Sequence, residues 1–376
     1  MNTLGLYIHI PFCLRKCAYC NFVSYPSRLG DIDQYINALI GEAHLYEDML
    51  KSRSIDSVFI GGGTPSLLSP EQMEKLVDEL QAISFWHNAE ITMEANPETL
   101  NEEKLSACYE LGINRLSMGL QTHEDAVLQD IGRGHTWDSF LNRFKLASRF
   151  IDNINVDIIF GLPGQTLESF DETLKRLIDI SPTHISAYAL KLERDTPLYT
   201  RFDGIDEDTD RAMYHLAAKK LTEAGYTHYE TSNFAKPGFE CRHNLKYWTG
   251  EEYLGLGAAA YSFLEEEGGH RFGNVSSIDD YFRCIVGKKR PISEDAHLTG
   301  IDQAFEYIML RLRLKQGIDY KDYHRRFGSD FLSEFSAAIE TAKNAGLITA
   351  DKCGIRPTLK GFDLQNALIG EFIKKL

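Results

Sequence analysis

Six short runs rich in apolar and β-branched residues recur over the first 190 residues, at 4–10, 57–60, 90–93, 115–120, 155–160 and 184–190. Amphipathic stretches separate them, at 32–50, 70–83, 102–111, 136–150 and 167–180. A strand followed by a helix and another strand re-enters its sheet in the same direction. This order therefore predicts an α/β fold with a parallel sheet, built as an open sheet or a partial barrel. In both architectures ligands collect at the carboxyl ends of the strands. The helix starts are marked: Ser69-Pro70-Glu71 and Asn101-Glu102-Glu103 each place a capping side chain before early acidic residues.

Near residue 206 the pattern changes. A helical stretch at 208–224 leads into a less regular region holding Thr231-Ser232-Asn233-Phe234 and the run His-Asn-Leu-Lys-Tyr-Trp at 243–248. From residue 300, two or three short helices precede a Gly346-Leu347-Ile348 turn into a β-hairpin, the order of a small winged-helix module. The expected organisation is a barrel core at 1–205, a barrel-extending region at 206–299 and a winged-helix-like, mostly helical domain at 300–376. A length of 376 residues suits two or three domains, and 43% hydrophobic with 25% charged residues excludes a disordered or disulfide-scaffold chain.

A net charge of −15 argues against nucleic acid or an anionic membrane as a general partner. The last segment carries 12 basic and 10 acidic side chains, too small an excess for DNA binding, and reads as a packing or substrate-covering module. The amino terminus has no basic leader followed by a long apolar run, and no stretch approaches the ~20 apolar residues of a membrane helix. The expectation is a cytoplasmic protein with no integral membrane segment and with reduced thiols.

Seven cysteines are present, and three of them cluster as C-L-R-K-C-A-Y-C, at Cys13, Cys17 and Cys20, just after the first strand. A closed zinc site takes four ligands and an ordinary iron–sulfur cluster takes four cysteines. The nearest further donor, His9, sits on the strand four residues upstream. A [4Fe–4S] cubane on three cysteines leaves one iron open to a small molecule. The amino and carboxylate groups of S-adenosylmethionine can chelate such an iron, and one electron passed to the sulfonium then releases a 5′-deoxyadenosyl radical. A zinc knuckle completed by a distant ligand uses the same cysteines.

The run Y-I-H-I-P-F-C-x₃-C-x-Y-C resembles the radical S-adenosylmethionine superfamily, in the branch that contains oxygen-independent coproporphyrinogen oxidase. That resemblance implies a partial (β/α)₆ barrel followed by a small, mostly helical domain. It also implies cofactor contacts: Gly62, Gly63 and Thr64 of G-G-G-T-P to the methionyl amino group, Tyr7 before the cluster, Tyr19 against the adenine, and Glu94 in T-M-E-A-N-P. Gln121, Arg133 and Asp157 match contacts to a second cofactor molecule. Independently, glycines let backbone approach a ligand closely, and Asp157 within an apolar strand requires a partner. Gly255–Ala260 fits a loose dinucleotide fingerprint without an obvious βαβ unit and reads as a close-packed turn.

Two features separate the branches. The oxidase pattern has a fourth cysteine where this chain has Phe22, and an amino-terminal extension for which no room exists before Cys13. The run H-N-L-K-Y-W matches the motif of the haem-chaperone branch. The resemblance implies a chaperone that binds haem and passes it to haem-requiring apoproteins such as respiratory enzymes, with an electron donor serving the cluster. Oxidative decarboxylation of coproporphyrinogen III is the alternative, and coproporphyrinogen dehydrogenase activity is not expected. His243 is the candidate axial ligand, with Cys241 as a second; Tyr247 and Trp248 offer aromatic surface to a macrocycle.

Overall fold

A computed structural model describes residues 3–265 and 269–374. Six strands pair in parallel and in chain order: β1 (Thr3–Ile10), β2 (Ser54–Gly62), β3 (Phe85–Ala95), β4 (Arg115–Gln121), β5 (Asn153–Phe160) and β6 (His184–Ala189). Each lies where the apolar runs place it, extended by up to five residues at an end. Helices cover the sheet because their apolar residues repeat every three or four positions. Pro70–Ile83 buries Met73, Leu76, Val77, Leu80 and Ile83 on one side. The start signals are real: Ser69 and Gln72 form a reciprocal capping box, and the Asn101 side chain accepts from the Lys104 N–H at 2.8 Å.

The stretch 32–50 is two helices, Ile32–His44 and Glu47–Ser52, rather than one. Between them Tyr46 leaves helical geometry, with its ring buried against Phe272 and beneath the Arg290 guanidinium, so tertiary packing overrides local propensity. A short helix at Asp125–Asp130 follows β4 and was not expected from the sequence.

The region at 206–299 builds both margins of the sheet. After the helix Glu207–Glu223, β7 (Thr227–His228) and β8 (Asn233–Ala235) add antiparallel strands beside β6. On the other side β9 (Tyr253–Leu256) pairs in parallel with β1, and β10 (Tyr261–Leu264), β11 (His270–Asn274) and β12 (Ile292–His297) continue antiparallel. The twelve-stranded order is β12-β11-β10-β9-β1-β2-β3-β4-β5-β6-β8-β7, an unclosed partial barrel. Gly255 does sit on a strand, β9, but a hairpin follows it instead of a helix, so no dinucleotide fold forms. Small residues are needed there: Gly257 has φ +106°, and a Cβ would meet the Tyr35 hydroxyl at 2.5 Å.

The carboxyl-terminal module has its own hydrophobic core, from Tyr307 to Phe372. Helix Gly300–Arg311 leads into β13 (Ile318–Asp319), helices Tyr320–Phe327 and Phe331–Asn344 follow, and β14 (Ile348–Ala350) and β15 (Gly354–Pro357) complete a three-stranded sheet with β13, the winged-helix order. Arg211–Asp363 and Arg271–Glu306 ion pairs, each at 2.8 Å, join it to the barrel. Among the described residues no helix is long and apolar enough to cross a membrane.

One buried carboxylate ties the margin to the core. Glu42 accepts from the Gly257 N–H (2.7 Å), Asn274 Nδ2 (2.7 Å) and the Tyr281 hydroxyl (2.6 Å). Burial nonetheless pushes its carboxyl up to about 7. A folded-state value raised above the unfolded one means that the unfolded chain releases its proton first. Stability from Glu42 is therefore complete below about pH 4.5 and is lost as pH rises towards 7. In urea denaturation between pH 4 and 8, Glu42→Gln is expected to flatten this decline, by an amount on the order of a few kcal/mol. An identical decline in the variant rejects the assignment.

Candidate functional site

The carboxyl ends of β1 to β6 open onto a cavity of about 510 Å³. Its walls bring together Cys13, Cys17, Cys20, Tyr19, Gly62, Gly63, Thr64, Glu94, Gln121, Arg133 and Asp157. These residues span 145 positions of sequence, from Cys13 to Asp157, and meet because parallel strands deliver every loop to the same rim.

The cysteine loop follows β1, is clamped from two sides and closes on itself once. Ala18 N–H donates to the Ile131 carbonyl and its own carbonyl accepts from Leu198 N–H, both at 2.9 Å; Cys20 N–H donates to the Cys17 carbonyl at 3.1 Å. All three thiols are free and half-buried. Thr64 Oγ1 lies 3.5 Å from Cys13 Sγ, and Arg133 Nη1 lies 3.8 Å from Cys17 Sγ, so a hydroxyl and a cation face the sulfurs. Burial raises the Cys13 and Cys20 thiols above the ordinary range. Three thiols with no fourth cysteine among the residues lining the cavity fit a cubane with one corner left open, and Phe22, 68% exposed, stands two residues beyond Cys20.

The glycine loop closes β2 at Gly62. Its N–H groups are already engaged: Gly62 to Glu94 Oε2 (3.0 Å), Gly63 to the Ile10 carbonyl (2.9 Å) and Thr64 to the Phe12 carbonyl (2.7 Å). What remains for a ligand's amino group is carbonyl oxygen and the Thr64 hydroxyl. Gly63 is obligatory because a Cβ there would lie 2.6 Å from the Phe12 carbonyl oxygen. Glu94, on the next strand, is pushed up to about 7 by burial and by the charge of Asp157.

Asp157 has the partners that its apolar strand demands. Ser117 Oγ donates to Oδ2 at 2.9 Å and Asn155 Nδ2 to Oδ1 at 2.8 Å. Asn155 Oδ1 is in turn 2.6 Å from His184 Nδ1, and His184 Nε2 is 2.8 Å from the Tyr229 hydroxyl. Arg133 is held by the Gly119 carbonyl at 2.6 Å, while its buried Nε has no partner. Gln121 adopts φ +76°, a left-handed backbone rare for a residue with a side chain, at the strand end beside the cavity.

Sequence reasoning missed Asn96, Ser117, Asn155, Ser186 and Tyr188, which also line the cavity. A signal was present. Ser117 and Gln121 on β4, Asn155 and Asp157 on β5, and Ser186 and Tyr188 on β6 fall on one face by the period of two.

Two predicted residues lie off the cavity wall. Tyr7 stacks on Phe59 (centroids 6.2 Å apart), which does line the cavity, and its hydroxyl meets His9 Nδ1 at 2.9 Å. His9 Nε2 reaches the Val23 carbonyl at 3.1 Å, just past the cysteine loop. His243 is the second residue of the helix Arg242–Thr249, whose first amides donate to Glu90 Oε1. Its ring is fully buried, with Nδ1 3.0 Å from Ser57 Oγ and Nε2 2.9 Å from the Tyr247 hydroxyl, and burial lowers it to about 3. Both nitrogens are thus engaged. Cys241 is equally buried, with its thiol towards Glu90 and pushed up to about 12.

Tyr247 packs edge-on to Tyr253, and Trp248 lies under the Arg313 guanidinium at 5.4 Å. Of this motif Asn244 alone lines the cavity. Trp248 instead lines a second, smaller cavity with Phe263, Tyr307 and Phe327.

Comparison with known proteins agrees with this geometry. The radical SAM superfamily model matches residues 7–177, and the HemN C-terminal domain model matches 298–364. The heme chaperone HemW of Bacillus subtilis is 35% identical across 98% of this chain and 99% of its own length. That of Escherichia coli is 36% identical across 84% of this chain and 83% of its own. The solved structure of coproporphyrinogen III oxidase, HemN, from Escherichia coli superposes with a TM-score of 0.88, covering all of this chain and 91% of that one at 24% identity, and so shares the fold. With full-length relatives at this identity and a cluster loop, glycine loop and strand-end polar set on one rim, the chain belongs to the HemW family of the radical SAM superfamily.

Proposed function

We propose that the chain is a haem chaperone of the cytoplasm: it binds a [4Fe–4S] cluster on Cys13, Cys17 and Cys20, S-adenosylmethionine along the strand-end rim, and haem, which it delivers to haem-requiring apoproteins. The observation that carries this reading is the cavity itself, where three thiols and no fourth cysteine share walls with Gly62, Gly63, Thr64, Glu94, Gln121, Arg133 and Asp157. When bound, the cluster supplies an electron to the sulfonium of S-adenosylmethionine, and a donor protein must replenish it.

The chain's own residues supply positioning. Thr64 and Arg133 place a hydroxyl and a guanidinium against two of the sulfurs, which favours thiolate. Glu94 offers acceptor oxygens to ribose hydroxyls or an amino group, Tyr19 offers its ring to adenine, and the Ser117–Asn155 pair holds Asp157 for a second nucleotide. Tyr7 acts through Phe59 and through His9, which bonds the Val23 carbonyl.

Haem is the cargo. At the mouth of the cavity Leu14 and Phe22 are 49% and 68% exposed, with Lys16 and Lys191 on the same rim. Apolar side chains beside cations suit a flat macrocycle bearing two carboxylates. For His243 to be the haem ligand, its ring has to leave the Ser57 and Tyr247 hydroxyls and come out to the cavity wall.

Anaerobic reconstitution with iron and sulfide, followed by haem titration and an assay for protoporphyrinogen, tests the proposal. Haem binding without decarboxylation is expected; decarboxylation of coproporphyrinogen III without stable haem binding overturns it. Cys17→Ala is expected to remove cluster absorbance near 400 nm while shifting unfolding by less than about 1 kcal/mol, since the thiol is only half-buried. His243→Ala is expected to lose haem retention with the cluster intact. If His243 only clasps Ser57 and Tyr247, the same variant instead keeps its haem titration and loses about 1–3 kcal/mol of stability.

A further inference from the structure

A convergent set of donors lies on the outer margin of the sheet, where β11 pairs with the terminal strand β12. His270 and His297 are directly opposite in the antiparallel register, and Asp295 precedes His297 by two positions. The period of two therefore puts all three side chains on one face. The imidazole rings are stacked, with centroids 4.4 Å apart and planes within 5°. His270 Nε2 is 2.7 Å from Asp295 Oδ1, and His297 Nε2 is 3.9 Å from the same oxygen. One donor atom from each residue lies within 4.8 Å of the other two.

We propose that His270, Asp295 and His297 bind a borderline divalent transition-metal ion of the zinc type. Two neutral imidazoles and a carboxylate form the mixed nitrogen and oxygen set that such ions select over calcium or magnesium, with bonds of 2.0–2.2 Å and an open position for water. Donors on a zinc ion stand ~3.3 Å apart on these bond lengths. The observed 2.7 and 3.9 Å bracket that spacing, and rotation of the half-exposed His297 ring closes the difference. Edge strands often carry charges to prevent pairing with other sheets. That role needs no convergence, whereas here the two Nε2 atoms lie 2.7 and 3.9 Å from one carboxylate oxygen.

The site stands at the passage between barrel and carboxyl-terminal module. β12 ends at His297, and Thr299 caps the helix Gly300–Arg311. Arg271, adjacent to His270, pairs with Glu306 on that helix. A bound ion ties β11 and β12 together where the chain leaves the sheet, and so fixes the seat of the module. It makes no use of the cysteine loop, so it stands apart from the haem reading.

The test is calorimetric titration of Zn²⁺ into the untagged, cluster-loaded full chain. One equivalent is expected in excess of that bound by the His270→Ala/His297→Ala chain. Asp295→Asn, which keeps the shape of the exposed side chain, serves if the double variant does not fold. It is expected to weaken that equivalent by more than about tenfold, the lower limit seen even for outer partners of metal ligands. Zn²⁺ is also expected to slow amide exchange along β11 and β12. Equal stoichiometry and affinity in the full chain and in Asp295→Asn overturn the proposal.

Discussion

Two backbone hydrogen bonds, from Gly63 N–H to Ile10 and from Thr64 N–H to Phe12, carry the pairing of β1 and β2 past the end of the sheet. They hold the start of the cysteine loop in register with the glycine loop, one residue short of Cys13. Everything at the rim is placed relative to that junction. Gly62 passes its own N–H to Glu94 on β3, and Thr64 turns its hydroxyl towards Cys13. Gly63 is the residue that makes the approach possible, because any Cβ collides with the backbone of Phe12. Backbone ladders thus set the geometry before any cofactor contributes, in keeping with a scaffold that orients while its ligands supply the chemistry.

Beneath the rim the barrel interior is polar to an extent unusual for a parallel sheet. Arg115, His184 and Glu90 are all buried, and Asn155 joins His184 to Asp157 through hydrogen bonds. Buried polar groups are tolerable when each finds a partner, and the chain of contacts from Tyr229 to Asp157 meets that condition. Glu90 also gathers the first amides of the helix that begins with Arg242. The floor of the cavity and the His243 helix therefore share one network, although His243 itself faces Ser57 and Tyr247.

Much of this was legible in the residues. The six core strands were legible as apolar runs separated by capped amphipathic stretches, and the thiol loop as three clustered cysteines. Glu94, Gln121 and Asp157 were singled out by the family resemblance, and all three lie on the wall of the strand-end cavity. The margins were not legible, since β7 and β8 have two and three residues and β12 is exposed along almost its whole length, so neither carries an apolar period. The clasp of His243 by Tyr247 was available in principle: a spacing of four on a helix makes the two side chains neighbours. Aromatic composition drew attention away from it.

The unclosed sheet has a mechanical consequence. In a closed barrel the number of strands and their stagger determine the girth. Here β12 and β7 end the array without meeting. An open wall of this kind is under no such closure condition, so its width is set by the twist between neighbouring strands.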